Sequence, residues 1–187
     1  SADGTTSTIT VNITGSNDAA VISAPVVDLT ETNAVLTTGG TLTISDIDSP
    51  TTFNPLTNVA GSAGYGTFTV GTDGVWSYVA DTAHNEFEDG VVYTDSIEVT
   101  SADGTTSTIT VNITGSNDLS VITSATTNLI ESNASLSTGG TLVIADVDGP
   151  APSFLAQTNV TGSGGYGRFS LGSDGVWTYT TTGANNP

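Results

Sequence analysis

The sequence predicts an all-β fold built from tandem β-sandwich repeats, and three observations lead to this prediction. β-Branched and polar residues alternate with a period of two along short segments, which is typical of strands with one buried face. Gly, Asp and Asn separate these segments, as they do at tight turns. The run SADGTTSTITVNITGSND occurs twice, at residues 1–18 and 101–118, which indicates stacked units with a spacing of 100 residues.

The repeat divides the 187-residue chain into three parts. A second block, TGGTLTISDID at 38–48, returns as TGGTLVIADVD at 138–148 with the same spacing. We therefore expect residues 1–18 to be the C-terminal strand of a preceding repeat and residues 19–118 to form one complete sandwich. Residues 119–187 are expected to form an incomplete following repeat that lacks its last two strands.

Seven strands are predicted in the complete repeat, named A to G in chain order. They are A at 20–30, B at 40–46, C at 57–60, D at 66–70, E at 75–80, F at 91–100 and G at 107–114. Pro25 interrupts strand A, because proline has no N–H to donate to a ladder. Strand B follows a pair of glycines, and strand C is a short run between Pro55 and Gly61. Seven short strands of this kind favour a sandwich.

Two turns connect the later strands. GTDG at 71–74 joins D to E, and Gly74 supplies the positive φ that this hairpin needs. SADGTTS at 101–107 joins F to G in the same way. Strand G then alternates an apolar face with a Thr-rich and Asn-rich face. The predicted core consists of Ile109, Val111, Ile113, Leu42, Ile44, Phe68, Val70, Trp76 or Tyr78, Ile97 and Val99. No helix is predicted.

Charge is the most unusual property of the composition. Nineteen Asp and Glu residues accompany a single basic residue, Arg168, and the formal net charge is −18. Phosphate binding depends on clustered Lys and Arg, so nucleic acid is excluded as a partner. Two explanations of the acidity remain open, namely a saline environment that screens exposed carboxylates and a stoichiometric divalent cation. The chain has no cysteine, which excludes disulfides and thiol catalysis.

Strand directions bring the acidic residues together at the two ends of the complete repeat. If A runs downward, B, D and F run upward and C, E and G run downward. The upper end then gathers Asn17, Asp18, Asp46, Asp48 and Asp103. The lower end gathers Glu31, the loop 81–89 with Glu86 and Glu88, and the linker residues Asn117 and Asp118. Oxygen ligands without His or Cys clusters suit Ca²⁺. The alternative is that Asp and Asn stand at strand ends because they favour turns.

Three blocks of the sequence, in order, carry a resemblance to a known family. They are TGGTLTISDID, TNVAGSAGYGTFTVGTDGVWSY and YTDSIEVTSADGTTSTITVNITGSND. With these blocks the chain resembles the VCBS repeats of large secreted bacterial RTX-type adhesins along essentially its whole length. The resemblance implies an extracellular, cell-surface protein that is exported by type I secretion and that supports adhesion and biofilm formation.

A more distant likeness is to cadherins, which have an Ig-like sandwich and calcium sites between domains. The shared features are an acid after the first strand, an acidic E–F loop, an Asn-Asp linker, and Asp-x-Asp after strand B. This likeness implies that the calcium ligands are Glu31, Asp118, Asp146 and Asp148, with Glu86 or Glu88 in addition. The linker GSND is shorter than that of cadherins, and the loop 81–89 lacks their Asp-Arg-Glu signature.

Other candidate sites are weaker. His84 is the only histidine, and neither a catalytic partner nor a pocket is evident beside it. Asp46 and Asp48 resemble a glycosidase carboxylate pair, but a pair that recurs in the next repeat is typical of structural modules. Two aromatic pairs, Trp76 with Tyr78 and Trp177 with Tyr179, suit either a sandwich core or a sugar-stacking platform.

Taken with the resemblance, these observations predict a calcium-stabilised structural extender of a bacterial adhesin or extracellular filament, without enzymatic activity. The alternative is a glycan-binding β-sandwich module. Its partners are expected to be neighbouring repeats of the same protein, with no nucleic acid and no membrane insertion. Strand 8–14 has an apolar face without a sandwich of its own, so head-to-tail self-association by strand donation is also expected. A continuous filament chain is the alternative to that association.

Overall fold

The computed structural model of the chain describes residues 2–184, and this range contains strands and turns but no helix. In the first half of the chain the strands are β1 Val21–Ile22, β2 Val26–Thr30, β3 Thr37–Thr41, β4 Ile44–Ser45, β5 Leu56–Ala60, β6 Gly66–Val70 and β7 Val75–Ala80. The others are β8 Val92–Thr100, β9 Thr106–Thr114, β10 Val121–Ile122, β11 Ser137–Thr141, β12 Ile144–Ala145, β13 Gln157–Thr161, β14 Gly167–Leu171 and β15 Val176–Thr181. The prediction of an all-β fold is confirmed. Within residues 2–184 there is accordingly no helix of the length and hydropathy that crossing a membrane requires.

Two sheets carry the residues predicted to be the complete repeat. The larger has the order β3-β7-β6-β5, and the other has the order β2-β9-β8. A small pair, β1 with β4, accompanies them. In the second sheet, two hydrogen bonds show that residue numbers increase in the same direction along β2 and β9. Thr110 N–H donates to Pro25 O at 3.0 Å, and Glu31 N–H donates to Thr114 O at 2.7 Å. β2 and β9 therefore run parallel.

Alternation along the strands decides which residues form the core. Trp76, Tyr78 and Ala80 on β7 are buried, while the residues between them are exposed. Ile109, Val111 and Ile113 are each 0% exposed, as the predicted apolar face of strand G requires. Of the other predicted core residues, Leu42, Phe68, Val70 and Val99 are buried, and Ile44 and Ile97 are half-buried. Phe53 and Phe87 are also buried, although they lie outside the strands predicted from the sequence.

Strand B was predicted as one strand at 40–46, and this prediction is wrong. The segment forms β3 and β4, which belong to different sheets. Leu42 N–H donates to Gly74 O at 2.9 Å, and Thr43 N–H donates to Ser23 Oγ at 2.9 Å. These two bonds turn the backbone away from one ladder and into the other.

Strands β10 to β15 repeat part of the arrangement of β1 to β7. A sheet with the order β11-β15-β14-β13 matches β3-β7-β6-β5 position by position, down to the bulge in its last strand. β10 pairs with β12 as β1 pairs with β4. Residues 123–136 contain no strand, although the corresponding residues of the complete repeat include β2. Residues 5–20 contain no strand either, although 8–14 has the sequence of residues 108–114, the C-terminal part of β9.

Contacts along the chain divide it into two compact units. Unit 1 consists of Ser1–Asp28, Val35–Thr82 and Thr94–Asn112. Unit 2 consists of Leu29–Ala34, Ala83–Tyr93 and Ile113–Pro187. Each of the two acidic groups described next lies within one unit.

Candidate metal centre

The first acidic cluster lies in unit 1 and consists of Asn17, Asp18, Asp46, Asp48 and Asp103. The Asp18 N–H donates to both carboxylate oxygens of Asp48, at 3.3 and 3.2 Å. The Asn17 side-chain amide donates to Asp103 at 3.5 Å, and the Asp48 N–H donates to Asp46 at 3.0 Å. The structure therefore brings together all five residues that the strand directions placed at the upper end.

Asp103 is occupied mainly by its own turn. Ser101 and Thr105 donate hydrogen bonds to its carboxylate, and the Ala20 N–H donates at 3.0 Å. These donors, Ser101 first, hold the pKa of Asp103 well below its usual range, because they stabilise the ionised form. For Asp103 the turn-forming role accounts for the position of the side chain.

The second acidic cluster lies in unit 2 and consists of Glu31, Asn117, Asp118, Asp146 and Asp148. The Asp118 N–H donates to Asp148 at 3.0 Å, as the Asp18 N–H does to Asp48. The hydroxyl of Ser116, in the second GSND linker, donates to Oε2 of Glu31 at 2.6 Å. Ser120 donates to Asp146 at 2.7 Å. A cavity of about 640 Å³ lies here, lined by Glu31, Asn85, Asn117 and Asp118 among others.

Several carboxylate oxygens of the second cluster are buried without a hydrogen-bond partner. Glu31 is 1% exposed and Asp148 is 6% exposed. The unpartnered atoms are Oε1 of Glu31, Oδ2 of Asp118, and Oδ1 of Asp146 and Asp148. Oδ1 of Asn85 is a fifth oxygen in the same state. Burial of an ionised carboxylate without a compensating partner is costly, so a cation would stabilise this arrangement.

The charges of the second cluster act on one another. Burial, and then the negative charges of Glu31 and Asp148, raise the pKa of Asp118 above its usual value. Asp146 differs, because the Ser120 hydroxyl donates to it and lowers its pKa. The ionised form of Asp118 is thus disfavoured, and a nearby cation would stabilise it.

The two clusters share their Asn-Asp and Asp-x-Asp residues but differ in how deeply the carboxylates are buried. Asp48 in the first cluster is exposed, whereas Asp148 at the corresponding position is buried. In the first cluster only Asp46 has a buried oxygen without a partner.

The loop 81–89 contributes differently from what the sequence predicts. Glu86 is 58% exposed on its side chain and accepts a hydrogen bond from His84 Nδ1 at 2.9 Å, which lowers its pKa. Glu88 is also exposed. Neither carboxylate lines the cavity of the second cluster, and Asn85 is the residue of this loop that does. Asn85 was missed because an amide in an acidic loop has no distinguishing sequence signal.

Among residues 2–184, no Lys or Arg side chain is paired with the second cluster. Arg168, the only Lys or Arg in the sequence, donates to the backbone oxygen of Asn159 at 2.9 Å. Between residues 2 and 184, no three Asp, Glu, His or Cys side chains already have the arrangement of a metal site. Unpartnered oxygens therefore lie in this region, but they do not have the arrangement of a closed metal coordination sphere.

The proposed sugar platform is not available in the complete repeat. Trp76 is 4% exposed and Tyr78 is 0% exposed, so neither ring offers a face to a ligand. Gly40 lies against the Trp76 indole, and the Tyr78 hydroxyl donates to buried Asp95 at 3.3 Å. Both aromatic residues belong to the core.

The sequence of residues 17–115 matches the family model described as the bacterial cadherin-like domain. The match covers just over half of the chain. It includes the whole first cluster and Glu31, and it ends at the glycine of the second GSND linker. A comparison with curated proteins gave no match.

Proposed function

Because the chain belongs to the bacterial cadherin-like domain family, a fold used for structure and adhesion, we propose that it is a calcium-stabilised extender of a bacterial adhesin. The ion is held at the second acidic cluster. Glu31, Asp118, Asp146 and Asp148 would hold it, and Asn85 adds an amide oxygen. Calcium supplies positive charge there, and the protein carries out no reaction.

One observation carries the proposal: five buried oxygens at the second cluster lack a hydrogen-bond donor, and four of them belong to carboxylates. Three of the five, on Glu31, Asn85 and Asp118, belong to residues that line one cavity. Ca²⁺ accepts about six to eight oxygen ligands in flexible geometry, and carboxylate and amide oxygens are among its usual ligands. Mg²⁺ demands a stricter octahedron and retains its waters. Zn²⁺ favours His and Cys, which this cluster lacks. The ligand types therefore favour calcium.

Thermal unfolding with calcium and with chelator tests the proposal. Binding to the folded state alone stabilises by about 2.7 kcal/mol when free calcium is a hundredfold above its dissociation constant. For domains of this size, about 1 kcal/mol changes Tm by roughly 4–8 °C, so calcium is expected to raise Tm by more than about 10 °C. A Tm that neither calcium nor chelator changes would refute calcium binding.

Matched variants locate the site. Asp148→Asn should remove most of the calcium-dependent rise in Tm, because it neutralises a buried ligand. Asp48→Asn is the control, since it makes the same change at the same place in the repeat but in the exposed first cluster. Equal losses in the two variants would show that general charge screening, and not the second cluster, produces the calcium effect.

An extender also needs stiffness, and the second cluster draws its residues from two successive sequence repeats. Glu31 and Asn85 come from 19–118, and Asp146 and Asp148 come from 119–187. Calcium bound to both groups would restrict their relative motion. In solution scattering, the double variant Asp146→Ala/Asp148→Ala should sample a broader range of dimensions than the parent in calcium. An unchanged distribution would mean that packing alone sets the stiffness.

The cellular role follows from the family and from the sequence resemblance to VCBS repeats. Bacterial cadherin-like domains are typically extracellular, and this location is the one we propose for the chain. We infer a stalk segment of an RTX-type adhesin, exported by type I secretion and active in biofilm formation. Surface proteolysis of intact producing cells tests the location, and a glycan screen tests the binding-module alternative. Specific, saturable glycan binding by the chain would favour that alternative.

A further inference from the structure

His84 has a backbone conformation that few residues adopt. Its φ is 60°, in the left-handed region, and among the described non-glycine residues only Asn58 and Asn159 share a positive φ with it. A residue of this kind usually belongs to an exposed turn, but His84 is 6% exposed. A buried residue in a disfavoured backbone region persists only when the surrounding structure holds it there.

A stack of three aromatic rings holds His84. Its ring lies on that of Phe87, with 4.5 Å between the centroids and 7° between the planes. The ring of Phe87 lies in turn on that of Tyr93, at 3.8 Å and 11°. Tyr93 belongs to β8, a strand of the three-stranded sheet, so the stack extends from this sheet into the loop 81–89.

Hydrogen bonds close the loop around the same rings. The Phe87 N–H donates to His84 O at 2.9 Å, which forms a turn over the two residues between them. The His84 ring donates from Nδ1 to Glu86, and the Glu88 N–H donates to the Tyr93 hydroxyl at 3.2 Å. Segment 84–88 is therefore fixed at both ends to members of the stack.

Asn85 is the residue that this turn presents to the second acidic cluster. It is half-buried and lines the same cavity as Glu31 and Asp118. Its Oδ1 atom is buried and accepts no hydrogen bond that would orient the amide. The position of this oxygen is therefore set by the backbone of the turn, and so by His84 on one side of it.

The position of His84 has two requirements that few side chains meet together. Asn and Asp tolerate a positive φ but have no ring to stack on Phe87. Phe, Tyr and Trp supply a ring, but bulky side chains are disfavoured at a positive φ. Histidine is several-fold enriched in the left-handed region and also has a flat ring. These two requirements explain why the only histidine of the sequence stands here.

We propose that His84 is a positioning residue for the calcium site: its ring, stacked on Phe87 and Tyr93, holds the Asn85 amide oxygen in the cavity. This inference rests on the proposed function, since it assigns a role at the same site. A ligand that is already in place loses little conformational freedom when the ion binds, so the stack increases calcium affinity without contact between His84 and the ion.

Calcium titration of four chains tests whether His84 acts through Asn85. The parent, His84→Asn, Asn85→Ala and the double variant are compared by calorimetry at one pH. His84→Asn retains tolerance of a positive φ and removes the ring, so it should weaken calcium binding about 10-fold, as loss of a residue that orients a ligand does. Asn85→Ala should weaken binding at least as much. The double variant should bind as Asn85→Ala does, because the ring has no ligand left to position.

A matched pair of variants at the other end of the stack leaves His84 itself unchanged. Tyr93→Leu removes the ring on β8 and should also weaken calcium binding. Tyr93→Phe is its control, since it retains three stacked rings and removes only the hydroxyl that the Glu88 N–H reaches. Its calcium affinity should be close to that of the parent. Equal affinities of Tyr93→Leu and Tyr93→Phe would contradict a role of the stack.

Hydrogen exchange in chelator measures the order of the loop without calcium. The Phe87 amide is the probe, because its bond to His84 O closes the turn. This amide should exchange faster in His84→Asn than in the parent, whereas Asn85→Ala should leave its rate nearly unchanged. Faster exchange together with unchanged calcium affinity would show that the stack has a structural role alone, and would overturn the inference.

The titrations also separate failure of this inference from failure of the proposed function. A parent that binds no calcium would overturn both. A parent that binds calcium, with His84→Asn binding equally tightly, would overturn the positioning role of His84 and leave the calcium site standing. Losses that multiply in the double variant would show that His84 does not act through Asn85.

Discussion

Gly15 and Gly115 lie in identical sequences but in different surroundings, so the same substitution should have very different effects. A Cβ on Gly115 would meet the backbone oxygens of Glu88 and Phe87, which are fixed by the loop before β8. The Gly115 N–H donates to Val91 O at 2.9 Å, so the backbone there is not free to withdraw. A Cβ on Gly15 would meet nothing within 4 Å.

The expected cost follows from these contacts. Overpacking against rigid neighbours typically costs about 1–3 kcal/mol, and backbone oxygens cannot rotate away as a side chain can. Gly115→Ala should therefore lower the free energy of unfolding by about 2 kcal/mol. Gly15→Ala should change it by less than about 0.5 kcal/mol, as is usual at exposed positions without special contacts.

Denaturant unfolding of the two variants in chelator measures this difference without a contribution from calcium. Hydrogen exchange then shows whether the loss in Gly115→Ala is concentrated at residues 85–91 and 113–116. Equal stability of the two variants would refute the reasoning, because it would mean that the loop moves aside at no cost.

Three further predictions concern the core of unit 1. Asp95 is 0% exposed and accepts hydrogen bonds from Tyr78 and from the Ala63 N–H. In denaturant unfolding, Asp95→Ala should therefore lower the free energy of unfolding by about 1–3 kcal/mol, and Asp95→Asn should lower it less. Similar losses in the two variants would mean that these hydrogen bonds contribute little. Burial, and then Asp95, raise the pKa of Tyr78, so the unfolded chain loses this proton more readily. Stability should consequently fall by up to about 1.4 kcal/mol per pH unit above about pH 10, and Tyr78→Phe should remove that dependence. Trp76 should be shielded from acrylamide quenching in Trp177→Phe, and Trp177 should be quenched more strongly in Trp76→Phe; the reverse order would contradict the burial of Trp76.

Strands with strict alternation were predictable from the sequence, because burial of one face leaves a period of two. The residues at 66–70 and 75–80 are strands with the predicted bounds, and the turn glycine Gly74 has a φ of 80°. Strand B was not predictable, because its division depends on Ser23, a residue about twenty positions away whose hydroxyl binds Thr43 N–H. A local pattern does not contain such a contact.

The acidic clusters show the same distinction. Strand directions alone brought Asp18 to Asp48 and Asp118 to Asp148, because each pair follows from which end of the sandwich a segment reaches. The strand directions did not predict which of these carboxylates is buried. Asp48 and Asp148 occupy corresponding positions of the two repeats, and only the structure shows that one is exposed and the other is 6% exposed.

The parallel pairing of β2 with β9 has a mechanical consequence. β2 stands near the N-terminal side of the complete repeat and β9 near its C-terminal side. Tension along the chain pulls these two strands in opposite directions along their common axis. The hydrogen bonds between them then bear the load simultaneously, in shear, and do not break one after another. The resistance of a repeat loaded in this way is governed by its rate of unfolding and not by its equilibrium stability.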